Sequence, residues 1–237
     1  MLLSEIFDYL NYGELSQIKL GDNRETGIAA TAYPAVVTHL NMALIELYKR
    51  FPIRQREIQI QTYTSITEYE LKTKFSATNG TEPIKYLLDS ATDPFLARVL
   101  KVERVTTSDV DVTDDLPLND VSNDKSILLL GYNILKVPEP NGSDILTVHY
   151  RAAPDKVVSA GLDPSIVEIP LPDSLMEPLI FYIAARAHAN ITSIDGNPSE
   201  GILYMQKFEA SVLKAKEIGA IDLMHESNNR PCNNGWV

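Results

Sequence analysis

The chain has 237 residues and 44% hydrophobic content, enough to bury a substantial core as one large domain or two small ones. A formal net charge of −11 argues against a protein that grips nucleic acid by neutralising phosphates, and a lone cysteine, Cys232, excludes an internal disulfide and a multi-cysteine zinc site. No apolar run approaches the roughly 20 residues of a bilayer-spanning helix, and Met1-Leu-Leu-Ser-Glu5 has no basic leader region, so no membrane partner or secretory signal is expected and assembly in a reducing cytoplasm is.

Leu3, Ile6, Phe7 and Leu10 recur at helical spacing and predict a short amphipathic helix that breaks at Asn11-Tyr12-Gly13. Gly21 to Thr31 is polar and reads as loop. Pro34 suits a first helical turn, and Val37, Leu40, Leu44, Leu47 and Phe51 mark one face of a second helix that Phe51-Pro52 ends.

The period then changes to two. Ile58, Ile60 and Thr62 alternate with Glu57, Gln59 and Gln61; Tyr69, Leu71, Thr73 and Phe75 alternate with Glu70, Lys72 and Lys74. The pattern predicts two half-buried strands joined as a hairpin by Thr64 to Thr67, with a turn at Asn79-Gly80. Phe95–Val105, Ile127–Leu130, Ile134–Val137 and Ile145–Arg151 read as further strands, the last two linked by a turn at Pro138 to Gly142. A small antiparallel sheet or sandwich is the expectation.

Asp109, Asp111, Asp114, Asp115, Asp120 and Asp124 crowd one segment that must stay solvated or face a partner, because so much like charge resists burial. It partly matches a calcium loop but lacks the glycine at position six and the closing glutamate. Pro154 to Pro170 reads as an extended connector.

Ile169 to Ile218 reads as a helical hairpin, the trunk of the molecule. Ser174 with Glu177 offers a capping box, and every residue from Leu179 to Ala185 is apolar or aromatic. That helix is therefore central in the fold or buried against a neighbouring subunit, and Leu179, Ile183 and Arg186 are its candidate interface or core positions. Asn197-Pro-Ser-Glu200 starts the second helix, whose apolar stripe is Ile202, Met205, Phe208, Val212 and Ala215, with Gly219 as its left-handed cap. Beyond it the pattern dissolves into a polar tail that ends in the chain's single tryptophan, Trp236. The fold class is α+β: N-terminal helices plus the C-terminal hairpin form a helical bundle (1–53 and 170–219), a β-rich insertion spans 54–169, and 220–237 is an extended docking tail.

His39, His149, His188 and His225 are scattered, with no HExxH spacing, and there is no GxSxG elbow, Walker loop or GxGxxG. No enzyme, cofactor or metal is expected. For His188, beside Arg186, a polar contact within or between subunits is the reading.

The segments taken in order resemble the head-to-tail adaptor proteins of short-tailed bacteriophages. The likeness rests on Leu3-Ser-Glu-Ile-Phe7 with Glu14-Leu-Ser-Gln17, Leu47-Tyr-Lys-Arg-Phe-Pro52, Leu116-Pro-Leu-Asn119, Leu135-Lys-Val-Pro138 and Val148-His-Tyr-Arg-Ala-Ala-Pro154. It rests most on Ile169-Pro-Leu-Pro-Asp173 leading to Tyr182-Ile-Ala-Ala-Arg186 and Tyr204-Met-Gln-Lys-Phe-Glu209. The resemblance implies a structural virion protein at the head–tail junction, made in the host cytoplasm. Its copies would form a dodecameric ring under the portal protein, extend the channel for passing genomic DNA without binding it specifically, and carry the tail nozzle or tail fibres. By position, Arg230, Pro231, Trp236 and Val237 would dock on the portal, and Asp109, Asp111, Asp114 and Asp115 would meet neighbouring subunits or tail proteins. The alternative is a tail accessory module that binds a receptor or glycan through its β region, for which the strands offer only Tyr63, Tyr69 and Tyr150, all expected to point inward.

Overall fold

The computed structural model describes residues 1–16, 27–108, 113–189 and 200–219. The chain forms two compact units, one from residues 1–52 and 155 onward, the other from 53–154. The fold is mixed α and β with antiparallel sheets.

In the first unit, α1 (Leu3–Tyr12) buries Leu3, Ile6, Phe7 and Leu10, the four positions the spacing selects. Its free N-terminal amides are met from outside the helix: Leu3 and Ser4 donate to the carbonyls of Val167 and Pro164, while the Leu2 amide donates to Glu5 Oε2 at 2.8 Å. The connector thus lies on the helices, with Ile169 N–H bonded to Met1 O and Asn41 exchanging two hydrogen bonds with Val157. Residues 155–169, expected in the β insertion, belong to the helical unit for that reason.

Helix α2 (Tyr33–Arg50) carries proline in its first turn and ends where Phe51 turns extended before Pro52. Helix α3 (Met176–His188) packs against α1, α2 and α4 (Glu200–Glu217). Leu179, Ile183 and Ala184 are wholly buried within this one chain. Of the two placements open for this helix, the structure takes the central one. The Ser174–Glu177 capping box does not form: a 3-10 turn over Asp173–Leu175 leads directly into α3, whose cap position is Leu175. Pro178 then falls in the first turn, where no intrahelical bond is lost. Gly219, at φ +62°, follows α4 in the left-handed conformation expected of a C-terminal glycine.

Among the described residues of the second unit, eight strands make two antiparallel sheets: β1 (Gln55–Gln61), β2 (Glu68–Glu70), β3 (Leu87–Leu88), β4 (Val99–Ser108), β5 (Thr113–Leu116), β6 (Leu128–Gly131), β7 (Ile134–Lys136) and β8 (Ile145–Ala152). The larger sheet has the order β3-β1-β8-β4-β5, the smaller β2-β7-β6, and both contribute to one core. Ile58, Ile60, Val105 and Val148 come from the first; Tyr69 and Leu135 come from the second.

The expected β1–β2 hairpin is not made. Both edges of β1 are occupied, by β3 and β8, so the chain crosses at Thr64-Ser65 to the other sheet. The second predicted strand is also shorter, because Thr73–Phe75 coils into a 3-10 turn that stacks Phe75 on Tyr86 at 4.6 Å. The Pro138–Gly142 turn likewise carries the chain between sheets rather than closing a hairpin.

Asp89 holds one end of this unit. Its carboxylate accepts from the amides of Thr78 and Phe95 (both 2.9 Å) and from the hydroxyls of Ser76 (2.7 Å) and Thr78 (2.5 Å). Burial alone would raise its pKa, but these hydrogen bonds outweigh it and hold the carboxyl down to about 2.

Leu179→Asp should leave the helical unit unfolded in circular dichroism of the isolated protein, and Leu179→Ala should cost about 2–5 kcal/mol in urea titration. Asp89 is depressed on folding, so its contribution is present above the unfolded carboxylate range and is lost as pH falls through about 2. Asp89→Asn, whose amide cannot accept every bond, should cost ~2 kcal/mol at neutral pH and flatten the acid limb of the stability curve.

Candidate functional site

The helical unit presents a groove of about 600 Å³ between α3 and α4. Its floor is made of small and apolar residues, Ala185, Ala189, Gly201, Ile202 and Met205, and Arg186 and Glu209 stand among its walls. Gly201 lets the helices close: a Cβ there would sit 3.0–3.1 Å from backbone atoms of Ala185 and Ala189. Because Gly201 takes the inward position, the phase of α4 differs from the predicted stripe. Phe208, Val212 and Ala215 are buried as expected, but Ile202 is 52% exposed. Leu203 (46%) and Leu213 (59%) are likewise exposed, so α4 shows three large apolar side chains among the described residues.

The two charges in the groove differ. Glu209 is held by Arg50 of α2 through two hydrogen bonds, from Nη1 to Oε2 at 2.5 Å and from Nη2 to Oε1 at 2.8 Å. Those bonds push the Glu209 carboxyl below its usual range and the Arg50 guanidinium above its own. Arg50 also lies over the Phe208 ring, 4.9 Å from its centroid, so one side chain ties α2 to α4 twice. Arg186, exposed at the end of α3, has no acidic partner among the described residues. Its neighbour is His39, whose pKa is lowered by burial and then by the Arg186 charge.

His188 does not share a site with Arg186. Its ring is buried: Nε2 lies 3.1 Å from the Glu14 carbonyl, and Nδ1 lies 2.8 Å from Glu200 Oε2 at an angle poor for a hydrogen bond. Tyr204 packs on the imidazole at 5.0 Å and donates weakly to the same carbonyl at 3.4 Å. This contact pins the segment after α1 to α3 and α4, a long-range pairing that local spacing does not reveal.

In the β unit the outward face of the larger sheet carries a cross-strand row of charge. Glu57, His149 and Arg104 face one another on β1, β8 and β4, and Arg104 Nε lies 3.6 Å from Asp115 of β5. Burial, then Arg104, lowers the His149 pKa. Arg151 is ion-paired to Glu103 on the same face. The acidic segment is thus partly engaged: Asp115 meets the charge of Arg104, and Asp120 accepts from the amide and hydroxyl of Ser122 in its own turn. Asp114 stands opposite Thr107 in the β4–β5 ladder. Asp109 and Asp111 lie outside the described residues, as do Arg230, Pro231, Trp236 and Val237.

Tyr69 and Tyr150 are buried and Tyr63 half-buried, as their alternation requires, while Tyr132 at the β6–β7 turn is exposed. Among the described residues no three His, Cys, Asp or Glu side chains converge to hold a metal ion, and no helix is long and apolar enough to cross a membrane. No family model matches the chain, and no curated protein matches it.

Leu203 and Leu213 are about half exposed, whereas Phe208 is buried. Leu203→Asp and Leu213→Asp should each change the unfolding free energy by less than about 0.5 kcal/mol, whereas Phe208→Ala should cost about 3–5 kcal/mol in the same denaturant titration.

Proposed function

We propose that the chain is a structural protein of a virion, a head-to-tail adaptor whose copies ring the exit of the portal, lengthen the DNA channel and carry the tail nozzle or fibres. The observation that carries the reading is the group of large apolar side chains, Ile202, Leu203 and Leu213, that α4 exposes among the described residues of the helical unit. Such a group suits a protein whose working state is an assembly. The order of sequence segments from Leu3 to Glu209 supports the same class.

The net charge of −11 fits a channel component, because an acidic wall repels DNA and lets it slide without sticking. The tail from Arg230 to Val237 is the proposed portal contact, repeated around the ring so that weak contacts add. A glycan-binding β unit is less well supported, since Tyr69 and Tyr150 of its strands are spent on the core.

Electron microscopy of the purified protein, alone and mixed with portal-bearing heads of the virus that encodes it, tests the reading. A ring seated on the portal is expected, and removal of 230–237 should abolish co-sedimentation with the heads. A monomer that ignores the portal under both conditions would overturn the assignment.

A further inference from the structure

We propose that the outward face of α1 in one copy seats in the α3/α4 groove of the next copy, so that the subunit contact is heterologous. The proposal rests on the ring reading above and names the surfaces that would build the ring.

Helix α1 carries two stripes. Leu3, Ile6, Phe7 and Leu10 face the core, and Glu5, Asp8, Tyr9 and Tyr12 follow the same i, i+3, i+4, i+7 spacing on the outside. Tyr9 is 54% and Tyr12 69% exposed, and with Glu5 and Asp8 they line a surface hollow of about 530 Å³. Two exposed tyrosines beside unmatched acid make an amphipathic ridge of the kind that docks into an apolar groove.

The α3/α4 groove is its complement. The small, exposed Ala189 leaves an incoming ring room to approach, and Ile202 and Met205 give it apolar surface. The signs of charge also match. Glu209 is already satisfied by Arg50, which leaves Arg186 as the groove's unmatched cation among the described residues, and Asp8 has no basic partner there either. Ridge and groove are different surfaces of one unit, so the contact repeats head to tail and closes into a ring where the rotation allows. A ten-residue helix buries too little surface for a tight pair, so closure around the ring supplies the strength.

The test uses the full chain, wild type and the variants Asp8→Lys and Arg186→Glu, on portal-bearing heads from virus lacking the gene. Bound copies per head are counted, and circular dichroism confirms that each variant folds. Each reversal alone sets like charges against each other and should weaken assembly by about tenfold or more. Mixing the two variants should restore it where the copies alternate. The lysine introduced in one variant then meets the glutamate introduced in the other, and at the next contact the native Asp8 meets the native Arg186. If both variants assemble like wild type, the named interface is wrong and the ring reading survives. If the variants fail and the mixture does not recover, the pairing is equally overturned. Wild type that forms no ring sinks the ring reading and this interface with it.

Discussion

The helical unit depends on the burial of α3. Leu179, Ile183, Ala184 and Ala185 are closed off by α1, α2 and α4, so one helix sets the position of three others. At about 25 cal/mol per Å² of apolar surface removed from water, a helix covered on so many sides dominates the stability of a small bundle. The surrounding polar contacts follow from that placement. Tyr48 of α2 donates to the Pro170 carbonyl at 2.8 Å, and Arg50 reaches Glu209 only because α2 and α4 both flank α3. A helix so enclosed offers a neighbour little beyond its C-terminal end at Arg186, which moves any subunit contact to the outsides of α1 and α4 and the groove at that end.

The β unit is inserted at a point that topology favours. Gln55 at the start of β1 pairs with Arg151 near the end of β8, and Ala152 N–H bonds to the Arg54 carbonyl. Entry and exit of the insertion are therefore adjacent strands, joined by their own hydrogen-bond ladder. Its far side is closed by the Leu116-Pro-Leu-Asn119 run, which leaves the larger sheet and meets the smaller one. Leu118 bridges Ile127, and Asn119, at φ +56°, accepts the Leu129 amide on Oδ1 at 2.8 Å. That bond caps part of an apolar edge strand that would otherwise invite pairing with another chain.

Much of this is legible in the sequence, and the failures have physical causes. The faces of α1 and α2 follow from spacing alone, because each helix buries one stripe against the bundle. Alternation locates β1 but does not name its partners, since a period of two says which face is wet and nothing about which strand lies alongside. Thr64 to Thr67 therefore reads as a hairpin turn when it is a crossing between sheets. Ile202 falls on the wrong face because Gly201, a residue of low hydrophobicity, holds the inward position by close approach. The connector reads as part of the insertion because its role is main-chain bonding to α1, which leaves no mark on side-chain pattern. His188 is visible as an oddity on an apolar helix, but its partners Glu14 and Glu200 lie in other elements.

Charge placement separates scaffolding from working surface. Glu209, Glu103 and Asp115 each meet an arginine of a different element. Partnered charges of this kind are part of the fold. The groove at the end of α3 and the outer stripe of α1 break that rule, with unmatched charge of opposite sign set beside exposed apolar or aromatic side chains. Leu203 and Leu213 on α4 lie outside the set of residues that line the groove. A subunit that used ridge and groove for its neighbours would keep that third surface for a different partner. An adaptor has to satisfy that requirement, holding its ring together while presenting a separate face to whatever is attached to it.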